Sequence, residues 1–120
     1  MSTRAQIRFA TREEGVSFSE HPNAIHAQFY KHHDGYPEGL GVDIAESLLN
    51  YQKITNWEIE SLHAYHSDLE YIYYIWQTLG KSSTWISIFK VGYSEPDECI
   101  FVGEPSNLID KYKLNTNAYG

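Results

Sequence analysis

Residues 69–91 read Leu-Glu-Tyr-Ile-Tyr-Tyr-Ile-Trp-Gln-Thr-Leu-Gly-Lys-Ser-Ser-Thr-Trp-Ile-Ser-Ile-Phe-Lys-Val. The first half is dense in isoleucine and aromatic side chains, which favour strands. Gly80-Lys81-Ser82-Ser83 turns the chain, and 84–91 returns as the partner of a hairpin. Ile72, Tyr74 and Trp76 fall on one side of the first strand, Tyr71, Tyr73 and Ile75 on the other. A sheet with one wet face alternates more strictly than this. The second face of this hairpin is therefore expected to be covered, by a helix or by another subunit.

Working outward, Ala5, Ile7 and Phe9 alternate with Arg4, Gln6 and Arg8, and Ile25, Ala27 and Phe29 with His26, Gln28 and Tyr30. Both are half-buried strand patterns, with a short strand expected at 16–18 between them. Pro37 suits a first helical turn, and Leu40, Ile44, Ala45, Leu48 and Leu49 recur at helical spacing. Thr55 and Glu58 fit a capping box for a second helix over 56–66. A last strand is expected at 99–102, then one helical turn from Pro105. These elements predict an α+β fold, an antiparallel sheet with one or two helices on one face in the order β-β-α-(α)-β-β-β. One domain is expected over 1–113, with a flexible tail at 114–120.

The chain has 120 residues, 42% of them apolar and 15% aromatic, enough for one core. No apolar run is long enough for a membrane helix. Cys99 has no second cysteine to pair with, the pattern expected of a reducing cytoplasm. The net charge is −7, and over 32–80 eight carboxylates (Asp34, Glu38, Asp43, Glu46, Glu58, Glu60, Asp68, Glu70) face only Lys53. Such a field repels phosphates and attracts basic surfaces. Direct nucleic-acid binding is disfavoured, and a basic protein partner is favoured.

The motifs of catalysis are thin. His63 and His66 would share one face of a helix, but zinc-protease spacing is absent. His32-His33-Asp34 suggests acid–base chemistry with no accompanying nucleophile. Cys99 sits in an apolar strand after two acids, which opposes a reactive thiolate. Gly35, Gly39 and Gly41 are flanked by carboxylates that would repel a phosphate. The expectation is a non-enzymatic protein with no metal or other cofactor. The aromatics Tyr71, Tyr73, Trp85 and Phe89 are read as the interface of a homodimer.

Ser2-Thr3-Arg4-Ala5-Gln6-Ile7, 30–41 with its Asp34-Gly35-Tyr36-Pro37-Glu38-Gly39-Leu40-Gly41 block, and 68–73 together resemble a group of short bacteriophage and mobile-element proteins. The resemblance implies a small protein acting in the host cytoplasm. By analogy with phage inhibitors of CRISPR and related defences, it implies docking on a basic, nucleic-acid-binding host protein. Asp34, Tyr36, Glu38, Asp43, Glu46, Glu58 and Glu60 are the expected contact residues. The alternative is a sponge for a small nucleotide signal at an oligomer interface, with Arg4, Arg8 and Arg12 on phosphates and Tyr71 or Tyr73 stacked on a base.

Overall fold

The computed structural model describes residues 3–12, 17, 20–22, 24–50, 57–78 and 83–117. The chain forms β1 (Arg4–Arg12), β2 (Ala24–Lys31), α1 (Val42–Asn50), β3 (Glu58–Glu60), β4 (Leu69–Thr78), β5 (Trp85–Lys90), β6 (Glu98–Gly103) and α2 (Pro105–Asn117). The strands make one sheet in the order β3-β2-β1-β4-β5-β6. The fold is α+β, as expected, but the sheet is mixed: β1 runs parallel to β4 at its centre, and every other neighbouring pair is antiparallel. A central parallel pair is characteristically buried on both faces, which accounts for the two-sided apolar pattern of β4.

One face carries both helices. Ala5, Ile7, Tyr73, Ile75, Ile86 and Ile88 pack there against Leu40, Ile44, Ala45, Leu108 and Tyr112. Gly35 lies against β1, where its N–H donates to the Thr3 carbonyl at 2.9 Å. A Cβ at Gly35 would meet the Ala5 Cβ at 2.8 Å and the Thr3 carbonyl oxygen at 2.9 Å, so only glycine fits this approach. Asp34 takes a left-handed φ of 57°, and one π-helical turn, Pro37–Gly41, leads into α1.

The structure corrects several expectations. Residues 58–60 pair with β2 instead of opening a helix, which satisfies the outer backbone of that strand. Thr55 and Asn56 lie outside the described residues, as do most of 16–18 and of the 80–83 turn. Helix α2 runs through Asn117, well past the single turn expected from Pro105; of the expected tail, 118–120 lie outside the described residues. Leu108 and Tyr112, four apart on one helical face, bury themselves in the core and hold it. Among the described residues, no helix is long and apolar enough to cross a membrane.

Among the described residues, no helix packs on the other face. Ala10, Tyr30, Leu69, Ile72, Tyr74, Trp76 and Phe89 form its core. The chain's own segments around His21, 61–66 and 92–97 fold over it: His66 stacks on Tyr30 at 3.8 Å and His21 on Phe89 at 4.1 Å.

Candidate ligand site on the helix-free face

Strand alternation sends Gln6, Arg8, Ala10 and Arg12 to the face opposite Ala5, Ile7 and Phe9. Gln6, Gln28 and Arg12 are almost wholly buried there. Buried amides are costly unless hydrogen-bonded, and Arg8 and Glu60 supply the partners of Gln6 and Gln28. Arg8 donates from Nε to Gln28 Oε1 (2.8 Å), from Nη1 to the Tyr74 hydroxyl (2.8 Å) and from Nη2 to Gln6 Oε1 (3.0 Å). The Gln6 and Gln28 amides in turn donate to Glu60 Oε2, at 2.9 and 2.7 Å. His66 Nε2 lies 2.7 Å from the other Glu60 oxygen. Burial works against the Glu60 carboxylate, but the hydrogen bonds from His66, Gln28 and Gln6 outweigh it and hold the group below its ordinary range.

A second branch leaves Tyr74. Its hydroxyl, accepting from Arg8, lies 2.7 Å from His21 Nδ1. With the phenol donating to that nitrogen, the His21 proton sits on Nε2, 3.1 Å from Asp97 Oδ2. Burial favours this neutral imidazole and lowers its pKa, outweighing the attraction of Asp97. Asp97 Oδ1 accepts the Gly92 N–H at 3.0 Å. Burial raises the Tyr74 pKa, against the pull of Arg8. Arg12 stands apart from this branch: it lies over the Trp76 ring at 4.6 Å and donates to the Ser17 carbonyl at 2.6 Å.

Above this polar floor is a cavity of about 320 Å³ whose lining includes Gln6, Arg8, Tyr65, His66, Tyr93 and Asp97. Tyr65 and Tyr93 are 79% and 63% exposed, although the Tyr93 hydroxyl donates to the Leu69 carbonyl. Arg8 makes no ion pair with any carboxylate among the described residues. Its three bonds go to neutral acceptors, which leaves one N–H on each terminal nitrogen.

The seven residues expected to bind a partner stand in different environments, although Asp34 and Glu58 line one hollow. Glu46 is paired with Lys113 at 2.6 Å and Glu58 with His32 at 3.0 Å. Glu60 points into the network on the face opposite the helices, and Asp68 is paired with Arg4. Of the eight carboxylates in 32–80, Asp34, Glu38, Asp43 and Glu70 make no ion pair among the described residues. Asp34 and Asp43 stand near the half-exposed Tyr36 at the approach to α1, where burial and the neighbouring Glu46 and Asp34 lift the Asp43 carboxyl despite Lys31.

Tyr73 and Phe89 are buried in the cores of opposite faces, so neither side chain offers a surface to a second copy. Tyr71 and Trp85 are half-buried. The nucleotide arrangement is not assembled on Arg8 either, because Tyr73 and the partly buried Tyr71 pack on the helix-covered face and Arg8 lies on the other. Residues 61–66 form no helix, so His63 and His66 do not share a helical face. Among the described residues, no group of three histidine, cysteine or acidic side chains is placed to hold a metal ion. His32, His33 and Asp34 line a separate hollow with Lys31, Trp57 and Glu58. Burial raises the Cys99 thiol pKa, as its apolar strand implied.

Gln6, Gln28, His21, Tyr74 and Asp97 were not picked out from the sequence. The polar members of β1 and β2 look solvent-facing there, and the one available signal was that β4 is apolar on the same side.

Comparison of this chain with protein-family models, with curated proteins and with solved structures finds no match in any of the three.

Proposed function

We propose that this chain is a non-catalytic binding domain that captures a small molecule in the cavity over Arg8. One observation carries the reading: a half-buried guanidinium, oriented by three neutral acceptors, keeps two N–H groups at a cavity rimmed by exposed tyrosines. Sites for small ligands are concave, pre-formed and equipped with a few convergent polar groups. A buried polar network of this extent contributes less stability than apolar packing would, and such departures from a simple core mark functional places. The test is a nuclear magnetic resonance titration with nucleobases, nucleosides, nucleotides and amino acids. Saturable shifts at Arg8 Nε, Tyr65 and Tyr93, lost in Arg8→Met, are expected. Silence across the panel overturns the reading.

A second reading keeps the phage-type inhibitor in reduced form. Its docking surface is Asp34, Tyr36, Glu38 and Asp43, on a loop whose backbone is fastened to β1 at Gly35 and to β4 through Tyr73. The partner is a host-defence protein with a basic groove for nucleic acid. Binding should weaken with salt and vanish when Asp34, Glu38 and Asp43 are neutralised together, while Arg8→Met retains it. Salt-independent binding by the triple variant removes this reading.

A further inference from the structure

Resting on the small-ligand reading, we infer that the cavity over Arg8 takes a guanine-type base, a neutral planar heterocycle with two adjacent acceptors beside two donors. Arg8 has committed three of its five N–H groups, to Gln28, Tyr74 and Gln6, and retains one on each terminal nitrogen. Asp97, in the same lining, accepts one bond at each oxygen, from Gly92 and His21. A carboxylate has about four acceptor sites, so about two remain. The site thus offers a donor pair and an acceptor pair, both held by secondary bonds. Guanine presents O6 and N7 as adjacent acceptors, the pair that arginine reads bidentately, and N1–H and the exocyclic amine as adjacent donors.

Charge selects against phosphate as the recognised group. Arg8 is opposed by Asp97 in the lining and by Glu60 directly behind Gln6, so a phosphate dianion approaching Arg8 meets two carboxylates. A neutral base incurs no such repulsion. Tyr65 and Tyr93 supply exposed rings at the rim, and base–aromatic stacking is effective on any base. At about 320 Å³ the cavity lies at the small end for ligand sites, which suits one base with its sugar projecting outward.

Calorimetry on the full chain tests this with guanosine, 7-deazaguanosine, inosine, adenosine, guanosine monophosphate and inorganic phosphate. Guanosine should bind. Removing N7 or the exocyclic amine should each weaken binding about tenfold, the value of one hydrogen bond, and adenosine should give no signal. The monophosphate should bind no tighter than the nucleoside, and phosphate alone not at all. Because Arg8 and Asp97 also hold the fold, Tyr65→Ala provides the second variant. Its side chain is mostly in solvent, so the fold is kept while affinity falls about tenfold. Equal binding of adenosine, or phosphate-driven binding, overturns the guanine assignment and leaves the cavity as a ligand site. If no ligand in this set or in the wider titration binds, both conclusions fall together.

Discussion

Tyr73, at the centre of the sheet, donates its phenolic hydrogen bond to the carbonyl of Gly35 across 2.6 Å. The two residues are 38 positions apart, and their bond fastens the loop before α1 to the parallel pair β1 and β4. Burial raises the Tyr73 pKa well above that of an ordinary phenol, so the hydroxyl remains protonated and able to donate. Tyr73→Phe removes the donor and leaves a buried carbonyl without that partner. Chemical denaturation should show a loss of about 1–3 kcal/mol. A change near zero would mean that the loop is held by Gly35 N–H and Thr3 alone.

Two glycines in the same region should respond oppositely to alanine. At Gly35 a methyl group would push into Ala5 and the Thr3 backbone, and Gly35→Ala should cost about 1–3 kcal/mol through forced displacement. At Gly41 the same methyl meets Tyr73, Ile88 and Leu108 side chains at 3.4–3.6 Å, ordinary contact distances. Gly41→Ala should therefore stabilise the fold by about 0.4–1 kcal/mol, by narrowing the unfolded ensemble. Midpoints of urea unfolding for the two variants should move in opposite directions.

The ion pairs separate by environment. Arg4 and Asp68 are both substantially exposed, and Asp68→Asn should change stability by less than about 1 kcal/mol. Glu60 accepts from Gln6, Gln28 and His66 in a mostly buried setting. Glu60→Ala leaves those donors short of an acceptor and should cost about 1–3 kcal/mol. Thermal unfolding of the two variants side by side measures the contrast.

The legibility of the sequence follows the same division between local and long-range causes. Period-two alternation in β1 and β2, the apolar run of β4 and the helical spacing of Leu40, Ile44, Ala45 and Leu48 are local signals, and each element they predict is present. The parallel pairing of β1 with β4 joins residues more than 60 apart, and no local pattern encodes which strands meet. Helix α2 was underestimated because Leu108 and Tyr112 are its main inward anchors among otherwise polar neighbours. The polar site escaped notice for a related reason. Gln6, Arg8 and Gln28 occupy positions that alternation assigns to solvent, and the segments that cover them come from 61–66 and 92–97. The charge run of 32–80 is visible as composition, but pairing reduces it: Glu60 turns inward, Glu46 and Asp68 meet Lys113 and Arg4, and Glu58 meets the His32 ring.

Acid should unfold this protein in two stages whose order follows from Glu60 and His21. His21 has a lowered pKa in the fold, chiefly through burial, so below about pH 6.5 the unfolded chain binds that proton first. The unfolded state then carries more protons, and stability falls as the pH drops. The groups facing His21 are Asp97, Tyr74, Arg8 and Arg12; Asp97 opposes the downward shift, and the two arginines reinforce it. Glu60 also has a lowered pKa, its hydrogen bonds outweighing burial. Its contribution is complete above the pKa of an unfolded glutamate and is lost as the pH falls through the lower folded value. Melting temperature against pH should decline first through the histidine range and again through the carboxylate range. His21→Gln should flatten the upper decline and leave the lower, and Glu60→Gln should do the reverse. A His21→Gln variant with an unchanged upper limb would show that another histidine drives it, and would remove the Asp97–His21–Tyr74 chain as the source of the pH response.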